Sequence, residues 1–383
     1  MKILYLTTVL PSGKTTGGEI ASQTFIDALI ELGHDVLVLG YQRIGDRKHP
    51  KDNEIIVGDR HIETSTSKYY PILWMGVSFL RHLPYSAAKY YSQKYLQKIH
   101  QLTHQQAFDI IIIDHAQLSW VIPHINHQQQ IILVAHNIEH EVYQKQLLKS
   151  QNILKRFIIE RESNLIQKIE NKLATIAKKV WTINQHDYDY FQKINSDTQQ
   201  FHLPLKLIST SDKSTKTNYD IAIIGTWTWQ ANHLGLEWFF QSVYPLIPEH
   251  FTIHVAGKGA NWLINKYPNV NYHGFVENSQ LFMLQAKVIA IPSVSGTGIQ
   301  IKTLDAIATA KPIVATSLAL RGIVDYPSSV QSVETPEEFA AKLCHLLAYN
   351  SDTLDDLFTE SHQWVEKRQK SFLGAVQSSV EII

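Results

Sequence analysis

The chain has 383 residues, with 35 basic and 35 acidic side chains and a hydrophobic fraction of 44%. That is too long for one ordinary core and suits two domains of roughly 100–200 residues each. The balanced charge excludes a global field that would draw in nucleic acid, and the single cysteine, Cys344, excludes an internal disulfide. No apolar run reaches the roughly 18 residues needed to span a bilayer, and Met1 to Leu10 lacks the cleavage site of a leader. A reducing, cytoplasmic setting is the expectation.

Taken in order, KILYLTTV over residues 2–9 predicts a strand buried on both faces. A loop from Pro11 to Gly18 leads into a helix whose apolar positions run from Ile20 to Leu32 and which stops at Gly33. Asp35 to Leu39 is the next strand, completing a βαβ unit. Residues 41–67 are polar and carry no clear pattern. From Tyr69 to Ile99 aromatic residues (among them Trp74, Phe79 and Tyr95) interleave with Lys and Arg. Two readings stand here: helices packed on the sheet, which is the commoner outcome, or an amphipathic surface for a membrane or a lipid-linked acceptor.

Asp109 to Asp114 and Ile131 to Ala135 are further buried parallel strands. The second delivers His136-Asn137-Ile138-Glu139 at its carboxyl end, where open parallel sheets bind ligands. A loop-capping histidine is the alternative. Residues 150–179 predict one or two charged helices, and Lys179 to Asn184 the last strand of the first sheet. Asp187-Tyr188-Asp189 has the spacing of a metal motif but sits on a predicted helix and is read as exposed surface. The Ser, Thr and Lys-rich run after Pro204 is read as a linker.

The pattern restarts at Tyr219 to Ile224, a strand ending at Gly225, followed by a Trp-rich loop with Asn232 and a helix from about Leu234. Thr252 to Val255 with Gly257-Lys258-Gly259, and Asn271 to Val276, continue it; Lys258 is read as a solvated turn residue. The stretch 288–316 is then strand, Pro292, a loop with Gly296 and Gly298, a helix from near Lys302 to Lys311, and a strand at Ile313 to Ala315. Glycines just before a helix let backbone N–H groups approach an anion. Lys302 adds a charge, and Asp305, one turn on, can accept hydrogen bonds from hydroxyls. A tight connection with a solvated Lys and Asp is the plain alternative. Helices Pro336 to Leu347 and Asp355 to Ile382 finish the chain.

The run from Pro292 through Gly296-Thr297-Gly298, Lys302, Asp305-Ala306 and Lys311-Pro312-Ile313-Val314 resembles the donor-binding segment of retaining GT-B glycosyltransferases, closest to glycosyltransferase family 4. The family's segment carries two glutamates separated by seven residues. Here Asp305 takes the second place and Thr297 stands where the first would be. Gly17-Gly18-Glu19, His136-Asn137, Gly225 with Asn232, and Gly274-Phe275-Val276 resemble other elements of the group, although its Gly-Arg-x-x-x-x-Lys loop is absent after Gly225.

The resemblance implies two Rossmann-like α/β domains with parallel sheets facing a central cleft. Residues 1–203 would be the acceptor side, 204–218 a linker, 219–360 the nucleotide-sugar-binding domain and 361–383 a helix crossing back. It implies a hexosyltransferase that moves sugar from a nucleoside diphosphate sugar, its co-substrate, to a glycan, lipid-linked or small-molecule acceptor. Configuration would be retained, with no metal and no cofactor. His136 and Lys302 would be catalytic. Gly17, Gly18, Gly225, Asn232, Phe275, Gly296, Thr297, Gly298, Ile299 and Asp305 would contact the donor. The missing glutamate and missing cations leave a noncatalytic sugar-nucleotide-binding subunit open; an epimerase of the same fold would need carboxylates placed for proton abstraction, which the sequence does not reveal.

Overall fold

The computed structural model describes residues 1–13, 16–44, 51–62, 67, 69–126, 128–204, 216–296, 300–349 and 351–381. The chain divides into two compact units, Met1–Phe201 with Leu373–Ile383, and His202–Phe372. The run read as a linker lies mostly in 205–215, outside the described residues.

The first unit contains, in order, β1 (Lys2–Val9), α1 (Gly17–Glu31), β2 (Asp35–Arg43), β3 (Glu54–Arg60), α2 (Tyr70–Arg81), α3 (Tyr85–Ala88) and α4 (Gln93–Gln105). There follow β4 (Ile110–Asp114), a 3-10 segment (Ala116–His124), β5 (Gln130–Ala135), α5 (Glu139–Lys149), α6 (Ile153–Ile176), β6 (Lys179–Thr182), α7 (Gln185–Phe191) and β7 (Thr198–Gln200). The described strands pair in parallel in the order β3-β2-β1-β4-β5-β6-β7. Strands such as IIIID at β4 are buried along their whole length because helices cover both faces. Tyr95 on α4 is fully buried and donates from its hydroxyl to the carbonyls of Thr7 and Leu39, tying that helix to β1 and β2.

The second unit contains β8 (Tyr219–Ile224), α8 (Gln230–Trp238), β9 (Ile253–Ala256), β10 (Val270–Gly274), α9 (Ser279–Leu284), β11 (Ala286–Ile291), α10 (Ile301–Ala308), β12 (Ile313–Thr316), β13 (Val330–Val333) and α11 (Pro336–Leu347). The long α12 (Ser351–Glu381) follows. Sheet order is β10-β9-β8-β11-β12-β13, again parallel throughout the described strands. Both orders reverse once, between β1 and β4 and between β8 and β11. A reversal of this kind leaves a crevice at the strands' carboxyl ends, because the following helices depart to opposite faces.

Several expected boundaries move. Gly17 and Gly18 form the first turn of α1, because the Thr16 side chain caps it by accepting from the Glu19 N–H at 3.3 Å. α8 begins at Gln230, so Asn232 lies inside the helix. α10 stops at Ala308 rather than Lys311, and Ala310 takes a left-handed φ of 55° before the Lys311-Pro312 step. The last helix is continuous from Ser351, and the unit boundary falls within it at 372/373, twelve residues after the break drawn at 360/361.

Candidate functional site

The first candidate region is the reversal point of the first sheet. Asp114 ends β4 fully buried, and its carboxylate accepts from Ser22 Oγ at 2.6 Å, Thr7 Oγ1 at 3.1 Å and His136 Nε2 at 2.6 Å. Burial alone would raise the Asp114 pKa. The charges of His115 and His136 and the bonds from His136 and Ser22 outweigh it and leave it at about 2. An ionised carboxylate facing Nε2 requires a proton there, and the other ring nitrogen, Nδ1, is buried and has no hydrogen-bond partner.

His115 follows Asp114 with a φ of 78°, a conformation costly for a residue with a Cβ and typical of functional loops. Its ring lies 4.2 Å from that of His136, and burial lowers its pKa to about 4, so it is neutral near pH 7. It lines a cavity of about 240 Å³ with Thr7, Thr16, Gly18, Arg43 and Gln117. Arg43 is ion-paired there with Glu19. Gly18 therefore faces the cavity from the start of α1, whereas Gly17 is not among its lining residues. Asp114, His115 and His136 also form the one group among the described residues whose ligand atoms, all within 4.8 Å, suit a cation.

Beyond His136, a second histidine–carboxylate pair supports the loop. Glu170 accepts from His140 Nδ1 at 2.8 Å and from the Glu139 N–H at 2.6 Å. Glu139 has its pKa raised to about 7 by burial and by the Glu170 charge. Asp187 is not the exposed residue expected. It is buried, bonded to Asn184 Nδ2 at 2.6 Å as part of the cap of α7, and burial raises its pKa to about 6.

The second region is the reversal point of the other sheet. Lys302, in the first turn of α10, is held by Asn232 Oδ1 at 3.0 Å, and Asn232 Nδ2 donates to the Thr226 carbonyl at 3.1 Å. The ammonium also lies 5.9 Å from the centre of the Trp227 ring. No carboxylate pairs with it among the described residues, and burial lowers its pKa to about 8. Asp305, one turn on, is raised to about 6 by burial.

The glycines here serve close packing. A Cβ on Gly225 would stand 2.8 Å from the Trp227 ring, one on Gly257 1.7 Å from the Gly225 carbonyl oxygen, and one on Gly235 2.0 Å from the Pro292 carbonyl oxygen. Gly296 has a φ of 125°, and its carbonyl accepts from Arg321 Nη1 at 3.0 Å. Arg321 is a second cation at this loop that the sequence reading missed. Thr297, Gly298 and Ile299 lie outside the described residues. Phe275, just past β10, is 65% exposed with Lys258 Nζ 4.9 Å from its ring centre, and Lys258 is itself exposed, as expected of a turn lysine.

Two parallel sheets with one reversal each are the architecture of the GT-B fold. Solved structures sharing the fold include sucrose-phosphate synthase from Thermosynechococcus elongatus (12% identity, TM-score 0.69, covering 100% of this chain and 97% of that one). HepE from Anabaena, in complex with UDP and glucose, aligns at 13% identity and TM-score 0.64 with both chains covered 100%. WaaG, a glycosyltransferase involved in lipopolysaccharide biosynthesis, aligns at 12% and 0.62, covering 100% and 99%. Comparison of the sequence with curated proteins gives no significant match. Residues 218–349, all within the second unit, match the family model Glycosyl transferases group 1.

Proposed function

We propose that this chain is a metal-independent, retaining hexosyltransferase that moves a sugar from a nucleoside diphosphate sugar to an acceptor hydroxyl. The observation that carries the donor half is Lys302, a half-buried ammonium in the first turn of α10, fixed by Asn232 and with no carboxylate partner among the described residues. A cation so placed stabilises the negative charge that develops on a departing diphosphate. Arg321 and the backbone amides near Gly296 support the same role, Phe275 offers a face for the base, and Asp305 suits ribose hydroxyls. That HepE was solved with UDP supports a uridine diphosphate donor.

In this reading the C1–oxygen bond to the diphosphate breaks, the acceptor oxygen bonds to C1 on the same face, and its proton passes to the departing phosphate oxygen. His136, oriented by Asp114, steadies the sugar as positive charge builds on its ring. The hydroxyl-lined cavity beside His115 and Gly18 suits a glycan, small-molecule or lipid-linked acceptor. A cytoplasmic site at the inner face of a membrane, touched through residues 69–99, goes with the last of these.

Release of free nucleotide from a panel of UDP, GDP and ADP sugars tests this. Slow donor hydrolysis that persists in EDTA is expected. Binding without turnover would instead make the chain a sugar-nucleotide-binding subunit, and turnover abolished by EDTA would remove the metal-independent mechanism.

A further inference from the structure

Scattered exposed leucines are ordinary, but a contiguous apolar patch on a protein surface marks an interaction site. Of the 22 large hydrophobic side chains exposed among the described residues, 10 fall within residues 69–80 and 148–158. On α2 they form a stripe at helical spacing, with Ile72 at 74%, Leu73 at 60% and Leu80 at 83% exposure. The opposite face carries buried Trp74 and Ser78, so the helix is held from inside and apolar outside.

Residues 148–158 join the same surface. Arg161 on α6 donates from Nη1 to Ser78 Oγ at 3.0 Å and from Nη2 to the Ser78 carbonyl at 3.2 Å, and its guanidinium lies 4.3 Å from the Phe79 ring. Phe157, one turn before Arg161, is 67% exposed and Ile153, a further turn back, 83%. The sequence reading saw only the first of these two segments, because residues 150–179 looked like a solvated charged helix.

Charge selects the occupant. α2 holds no acidic residue and ends in Arg81, while Lys155 and Arg156 stand exposed in the first turns of α6, where Glu160 is the lone exposed acid. An isologous contact with a second copy would bring two such basic patches together with only Glu160 of each to offset them. An anionic bilayer accepts both parts: apolar side chains enter the acyl boundary and the basic rim meets headgroup phosphates. We infer that the outer face of α2 and the start of α6 form one docking surface for a membrane bearing anionic lipid. This extends the contact proposed for residues 69–99, and vesicle binding does not depend on glycosyl transfer.

The test is cosedimentation of the full chain with vesicles of phosphatidylcholine alone and of phosphatidylcholine with phosphatidylglycerol in equal parts. Binding is expected to the anionic vesicles, weaker at high salt, and reduced about tenfold or more in Leu73→Glu/Leu80→Glu. Both substituted residues are exposed, so the variant should keep the wild-type melting curve, which circular dichroism checks. Nucleotide release from the donor, assayed without vesicles, should match wild type and separates loss of docking from loss of catalysis. Wild type that fails to pellet with anionic vesicles, or a variant that binds them equally, overturns the inference. Light scattering that shows a wild-type dimer broken by the variant would overturn it in favour of a contact between copies.

Discussion

Lys302 allows a sharp test because its charge should be conditional. With a pKa of about 8 in the free protein, the ammonium is about 90% populated at pH 7 and about 10% at pH 9. If the diphosphate binds only the charged form, nucleotide affinity should fall about tenfold over that range, about 1.4 kcal/mol. Binding should also draw a proton onto the lysine: about 0.5 proton per nucleotide near pH 8, because the bound phosphates raise its pKa. Calorimetric titration with UDP, repeated in buffers of different ionisation enthalpy, reads this uptake directly. Lys302→Gln should bind weakly, take up no proton and lose the pH dependence, whereas Lys258→Ala, at the Phe275 ring, should keep both. Wild-type affinity equal at pH 7 and 9, with no proton uptake at pH 8, would refute the assignment of the diphosphate to Lys302.

Asp114→Asn should lower turnover about 10- to 100-fold by freeing the His136 ring, while leaving the Kd for UDP near wild type, since Asp114 belongs to the other unit. Unchanged turnover in steady-state assays would deny it a positioning role. Acid stability provides a separate check. The Asp114 pKa is depressed from 3.8 to about 2, so its contribution, about 2 kcal/mol, is present above pH 4 and lost as pH falls through 2. Glu139 has the opposite sign: raised from 4.5 to about 7, it costs stability as pH rises between those values. Thermal melts should therefore show Glu139→Gln gaining over wild type at pH 8 more than at pH 4, and Asp114→Asn losing the decline between pH 4 and 2. Gly235→Ala, whose Cβ would sit 2.0 Å from the Pro292 carbonyl oxygen, should cost about 1–3 kcal/mol in denaturant unfolding, because backbone must move.

The strands facing helices on both sides were legible because burial demands unbroken apolar runs, as at KILYLTTV and DIIIID. Edge strands were not: β7 is Thr-Gln-Gln and β3 carries Asp59 and Arg60, so neither has the composition of a buried strand. For the site, Lys302, Asp305 and His136 stood at ends of readable strands or in readable motifs. Asp114 had a readable position and an unreadable role. Its three hydrogen-bond partners come from β1, α1 and the residue after β5, and their convergence depends on strand order, which no local pattern encodes. Arg321 escaped for the same reason, since its partner Gly296 is 25 residues away. Gly225 looked like a place for phosphate to approach, yet the space beside it is taken by Trp227, a contact set by one side chain folding back on its own loop.

The end of α12 has a consequence for biosynthesis. Ser379 accepts at its carbonyl from Lys179 Nζ at 2.7 Å and at its hydroxyl from Trp181 Nε1 at 2.8 Å, so β6 is finished off by a turn made some 200 residues later. While the ribosome is still translating the second unit, the emerging first one lacks these partners and leaves the Trp181 indole N–H waiting. A nascent chain stalled before Ser379 should be more open to protease at its early half than one released after it.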